Sequence, residues 1–189
     1  MVRSVKWFPL LLSVCALLGL ALGTIQCSSG NPPNSDKTGL EDQAKIDVAV
    51  KNQQAGNYKP DAWECRWLRQ GDLIYSGLPG QTEYYTTRQT VDASGKSAPR
   101  LWESLQVAPH IVFGYRTEVM EYQVQTDIRV PYGKCQANPQ YGDGGGEQFF
   151  IADFKTALKA TNETTKLTDG GSDNLAKIND KIKQVVGIK

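Results

Sequence analysis

The chain is poor in the residues that usually announce a function. It has one histidine, His110, four cysteines in 189 residues, and almost balanced charge, with 21 basic against 20 acidic side chains. Balanced charge without a basic patch excludes the electrostatic footprint of a nucleic-acid binder. No segment recurs at a fixed period, so the chain reads as one domain rather than an array. His110 follows Pro109 in a stretch with loop character and reads as structural rather than as a general base. Long apolar runs are also missing after residue 26, and large apolar residues are sparse from there to residue 60.

The one long apolar run stands at the start. Arg3 and Lys6 precede an almost wholly apolar stretch from Trp7 to Leu22, the layout of an export signal whose core is short for a bilayer span. Two exits from it are open. Ala21-Leu22-Gly23 offers small residues for ordinary cleavage, and Cys27 before Ser28-Ser29-Gly30 offers a lipidation site, the one route by which the chain would touch a membrane. The expected location is therefore secreted or a cell-envelope lipoprotein. Cys15 leaves with the signal. Lipidation of Cys27 would leave Cys65 and Cys135 as an even pair, expected to form a disulfide outside the cytosol. Such a bridge would close a loop of about 70 residues and contribute about 4 kcal/mol in the chain-entropy account. The expected organisation is a signal peptide over 1–26, a flexible linker over 27–60 and one domain over 61–189.

Within that domain the pattern is mixed. Leu73-Ile74-Tyr75 and Glu83–Thr87 have strand character, and Gly77-Leu78-Pro79-Gly80 ends the first. Ser97 to Val107 places Leu101, Trp102 and Leu105 on one helical face. Val119–Val124 alternates, with Met120, Tyr122 and Val124 on one side and Glu121 and Gln123 on the other. Asp127–Pro131 and Gln148–Phe154 read as two more strands. Leu175, Ile178, Ile182 and Val185 predict an amphipathic C-terminal helix. Short strands with helices kept apart from them define an α+β class around an antiparallel or split sheet.

The most informative stretch runs from Tyr141 to Phe150. Gly144-Gly145-Gly146 ends on Glu147-Gln148 and then enters a strand. Glycines beside a strand permit close approach to the backbone, and the polar pair then stands at the lip. Neighbouring strand residues face opposite sides, so only one of Glu147 and Gln148 faces a given cleft.

Tyr122-Gln123-Val124, Gly133, Ala137, Tyr141-Gly142, Gly144-Gly145-Gly146 and Gln148-Phe149 together resemble the tuberculosis necrotizing toxin domain, a family of exported NAD glycohydrolases. The resemblance spans roughly 35 residues. It implies a compact fold related to ADP-ribosyltransferases, with the NAD cleft between two small sheets, and it makes Gln148 the catalytic glutamine. The family's Asp-Arg-Phe-Gly segment has only Ile74-Tyr75-Ser76-Gly77 as its counterpart here, without arginine. Arg116 is the preferred substitute for its phosphate-holding role, with Arg88 and Arg100 as the other candidates. Tyr75, Gly145, Gly146 and Glu147 complete the expected substrate-binding set. NAD would be the substrate, so neither a metal nor an organic cofactor is implied, and an immunity protein is a possible partner. Transfer of ADP-ribose to a protein and non-enzymatic binding on the same fold are the alternatives.

Overall fold

The computed structural model describes residues 35–78, 82–110, 112–170, 179–180, 182–183 and 186–187. The expected signal peptide lies outside these, as does most of the expected C-terminal helix. Of that helix's apolar positions, Ile182 is described, and it packs against the second core cluster.

Seven strands form one antiparallel sheet: β1 (Glu64–Leu68), β2 (Leu73–Gly77), β3 (Tyr84–Thr86), β4 (Glu118–Val124), β5 (Ile128–Lys134), β6 (Glu147–Phe150) and β7 (Leu158–Lys166). Their spatial order is β1-β5-β6-β3-β2-β4-β7. Most neighbours share three or more partner pairs, but β2 and β3 share one, Tyr75 opposite Thr86. The sheet is thus split into β1-β5-β6-β3 and β2-β4-β7, joined at that point. The expected α+β class with a split antiparallel sheet is the architecture found.

Alternation explains both faces. Ile74, Tyr85, Tyr122, Val124, Tyr132, Phe149 and Ile151 point to one side and form the first core cluster. Tyr75 and Val119 point to the other and pack under α2 (Arg88–Ala93) and α3 (Ala98–Ser104), with Leu101, Trp102 and Leu105. The polar side expected for β4 is found at Gln123, exposed, and Glu121, half-buried, while Val119 on the same side is fully buried. Both helices begin on side-chain caps. The Thr87 hydroxyl accepts from the Thr90 N–H, and the Ser97 hydroxyl from the Arg100 N–H, satisfying donors that the first turn leaves free. A short α4 (Phe154–Ala157) leads into β7.

Two sequence expectations change. Residues 35–55, expected as linker, form the 21-residue helix α1 (Ser35–Ala55). Its docked side is mostly polar or small. Asp42 makes a two-pronged ion pair with Arg129 (2.6 Å at its shortest), Lys45 Nζ donates to the Arg129 carbonyl (2.9 Å), and Ala49 and Gln53 are buried. The Arg129 guanidinium, through its hydrogen bonds, holds the Asp42 carboxyl below the usual range.

The second change concerns the cysteines. Cys65 and Cys135 are both free thiols. Cys65 sits opposite Pro131 in the β1–β5 register, so Cys135 lies four residues further along the neighbouring strand. Four strand residues span about 13 Å, and a disulfide needs Cα atoms within about 7 Å. Burial pushes the Cys65 thiol up to about 11 and raises Cys135 as well, which leaves both poor nucleophiles at neutral pH. Reducing agent should leave the thermal midpoint unchanged. A bridge of the expected strength would instead make it fall by roughly 8–16 °C on reduction, and alkylation followed by peptide mass analysis would find the two residues joined.

Candidate active site

A cleft of about 280 Å³ opens where β2 and β3 part. The aromatic side chains of Tyr75, Tyr84 and Trp102 line it, Gln148 borders it from β6, and Asn52 and Gln53 reach it from α1. Tyr84 Oη donates to Asn52 Oδ1 (2.8 Å), and Tyr75 Oη donates to Glu121 Oε2 (2.8 Å). Burial, ahead of neighbouring acidic groups, raises the phenol of Tyr84. Burial and the bond to Glu121 raise that of Tyr75. At neutral pH these phenols stay protonated, serving as ring faces and donors rather than bases.

Arg116 also lines the cleft while remaining exposed. Its backbone carbonyl accepts from Trp102 Nε1 (2.6 Å). Its side chain lies over Gly77, where an added Cβ would come within 2.9 Å of Arg116 Cδ and 2.8 Å of the Trp102 ring. Among the described residues Arg116 makes no ion pair. The strand segment that lacks an arginine of its own is thus covered by one from the loop before β4.

Gln148 is buried, with 6 % of its surface exposed, and its Nε2 donates to Asp61 Oδ2. The same carboxylate accepts from Gln53 Nε2 (2.9 Å) and from the Gln136 backbone N–H (2.8 Å). Gly133 stands opposite Gln148 in the β5–β6 register, and its missing side chain leaves room for the backbone of Ala62, whose carbonyl an added Cβ would meet at 3.1 Å. That room lets the segment carrying Asp61 lie beside Gln148. Sequence reasoning missed Asp61, Asn52 and Gln53. No local spacing ties them to the glycine motif, and Asp61 is 87 positions from Gln148.

The remaining expected site residues go elsewhere. Arg88 lies across the ring of Tyr75 (4.6 Å to the centroid) and 3.9 Å from Glu121, outside the cleft lining. Arg100, Gly145, Gly146 and Glu147 border a second, more open depression of about 290 Å³ beside α2 and α3. There Glu147 Oε2 accepts from the Thr87 hydroxyl (3.1 Å). The polar pair therefore divides as strand alternation requires, with Gln148 on the aromatic cleft and Glu147 away from it.

The glycine run approaches protein rather than an open lip. Gly146 N–H donates to the Ser104 carbonyl (3.0 Å) and Gly145 N–H to the Cys135 carbonyl (2.8 Å). An added Cβ at Gly144 (φ +70°) would meet the Cys135 carbonyl at 2.5 Å, and one at Gly146 the Ser104 carbonyl at 2.8 Å. The run closes a turn against α3 and the end of β5, and so fixes where β6 begins. His110 has the structural place expected of it, its Nδ1 accepting from the Val112 and Phe113 N–H groups.

This split-sheet α+β domain, with an aromatic cleft at the split, has known relatives. Residues 41–153, more than half of the chain, match the model of the Rhs1 C-terminal toxin domain, and the chain belongs to that family. Among solved structures it is similar to Rhs1-CT in complex with its cognate immunity protein RhsI1, at 38 % identity and a TM-score of 0.58. That match covers 63 % of this chain and 95 % of that one. It also matches Tse6 in complex with Tsi6, at 13 % identity and a TM-score of 0.40, over 64 % of this chain and 96 % of that one. No curated protein matches it. The sequence resemblance pointed to the tuberculosis necrotizing toxin domain. The toxin class stands, and the family shown is the Rhs1 one.

Proposed function

We propose that this toxin domain cleaves the bond between nicotinamide and ribose in NAD, giving nicotinamide and ADP-ribose. The observation that carries this reading is the placement of Gln148, a buried amide bordering an aromatic cleft whose wall also carries Arg116, a cation with no ion pair among the described residues. The cleft is at the small end of ligand sites, suited to one end of a dinucleotide. The Tyr84 ring offers an apolar wall to the nicotinamide ring, and the Arg116 guanidinium suits two phosphate oxygens at once. As the C1′–N bond breaks, its electron pair leaves with nicotinamide, which departs as a neutral base. The ribosyl cation left behind takes up water, whose proton passes to solvent. Electron-rich oxygen held beside C1′ stabilises that cation, and the Gln148 amide oxygen is assigned this role among the polar groups of the wall, which also include Asn52 and Gln106. Glu147, turned away and engaged with Thr87, offers no support for transfer of ADP-ribose to a protein. A cognate immunity protein is the partner this reading implies, supported by the complex in which the 38 %-identical relative was solved. Export remains the reading of the N-terminal sequence.

The direct experiment is to incubate the purified chain with NAD and follow free nicotinamide and ADP-ribose. Folded protein without turnover would make the cleft a binding site only. Arg116→Ala should raise KM for NAD by roughly tenfold with a smaller change in kcat. With nicotinamide riboside, which has no phosphate, the same substitution should have no effect. A penalty of equal size on both substrates would remove Arg116 from the phosphate role.

A further inference from the structure

We propose that Asp61 is the positioning residue that decides which end of the Gln148 amide faces the substrate, an inference that rests on the NAD-cleaving reading above. Asp61 and Gln148 are 8 % and 6 % exposed, and Asp61 itself does not line the cleft. Among the described residues, every group hydrogen-bonded to its carboxylate is a donor: Gln148 Nε2 and Gln53 Nε2 (2.9 Å) at Oδ2, and the Gln136 N–H (2.8 Å) at Oδ1. An ionised carboxylate only accepts, so it draws the NH₂ of Gln148 inward. The amide oxygen is then left for the cleft, and no donor among the described residues reaches it. Gln53 is locked in turn, because its Oε1 accepts from the Asp61 N–H (3.0 Å) and from Trp63 Nε1 (2.9 Å). Helix α1 and the Asp61–Trp63 segment thereby hold the acceptor, and a cation forming in the cleft meets oxygen rather than N–H.

Asp61→Asn reverses this. The Gln136 N–H is fixed backbone and keeps the introduced carbonyl oxygen, so the introduced NH₂ faces the two glutamines. Gln53 is held by two further donors, which leaves Gln148 to turn and present its NH₂ to the cleft. The expected result is a kcat for NAD cleavage lower by about 100-fold with KM within about threefold. Adding Gln148→Glu to Asp61→Asn should recover activity by about tenfold or more, because one oxygen of the new carboxylate accepts from the asparagine and the other faces the cleft. A structural role alone would give losses that add. Exchange of the Gln148 side-chain amide protons, followed by NMR in the uniformly ¹³C,¹⁵N-labelled wild-type chain and assigned through side-chain-to-backbone correlations, needs neither turnover nor a variant. One proton should be protected in the wild type. Rapid exchange of both overturns the proposal, as does a folded Asp61→Asn chain with wild-type kcat, or a double variant no better than Asp61→Asn. If the wild type releases no nicotinamide, the NAD reading fails, and the amide exchange alone decides the role of Asp61.

Discussion

Gln148→Ala should lower nicotinamide release by roughly 10²–10³-fold, the range seen when one preorganised electrostatic group is removed from a reacting centre. The loss should fall on kcat, because an interaction that strengthens as positive charge develops contributes little to ground-state binding. The substitution also strips one of two side-chain donors from Asp61 Oδ2 and leaves a small void beside β3 and β5. A stability cost of about 1–3 kcal/mol is expected from that, so unfolding must be measured alongside turnover. Glu147→Ala is the control. Its side chain bonds Thr87 at the head of α2 and borders the other depression, so turnover should stay near wild type. Loss of activity with Glu147→Ala while Gln148→Ala remains active would sink the glycohydrolase assignment and favour a transferase-like site built on the carboxylate.

The largest expected effect on stability is at Gly144. Its φ of +70° costs an L-residue about 1–2 kcal/mol, and the new Cβ would stand 2.5 Å from the Cys135 carbonyl and 2.7 Å from the Gln136 carbonyl carbon. These neighbours are backbone of the segment that leaves β5, which cannot swing aside like a side chain. Adding overpacking of about 1–3 kcal/mol, Gly144→Ala should destabilise the domain by about 3 kcal/mol. Gly145 separates the two contributions. Its φ is +88°, but an added Cβ has nothing within 4 Å, so Gly145→Ala should show the backbone cost without the clash. Urea unfolding of the three chains tests this. Equal losses at both positions would mean that conformation alone, and not the close approach to Cys135, requires the glycine.

Much of the sheet was legible because alternation is a local signal. Met120, Tyr122 and Val124 mark their face of β4 without help from the rest of the chain. Helix α3 is similarly marked by the spacing of Leu101, Trp102 and Leu105. Helix α1 was not legible, because the residues it turns inward (Asp42, Ala49, Gln53) repeat at helical spacing but are acidic, small and polar. Periodicity was present in burial and absent from hydrophobicity. The cysteine pair failed for a related reason. Counting cysteines says nothing of register, and it is the pairing of Cys65 with Pro131 that keeps the thiols apart. In the site, Gln148 carried a motif and Arg116 a position ahead of a strand. Asp61 carried neither, since its meaning exists only once β1, β5 and β6 are side by side.

The single shared rung between β2 and β3 has a mechanical meaning. Elsewhere in the sheet the spacing of neighbouring strands is set by runs of backbone hydrogen bonds, which resist shear together. At Tyr75 and Thr86 that ladder is reduced to one pair, reinforced by the Ser76 hydroxyl donating to the Tyr84 carbonyl (3.2 Å), and the cleft beside it is walled by Tyr84 tied to Asn52, Tyr75 tied to Glu121, and Trp102 bonded to the Arg116 carbonyl. The seam of the fold is also the mouth of the cleft. Its aperture therefore rests on one rung, one hydroxyl and the aromatic rings beside them, adjustable by substitution at the walls without altering a strand.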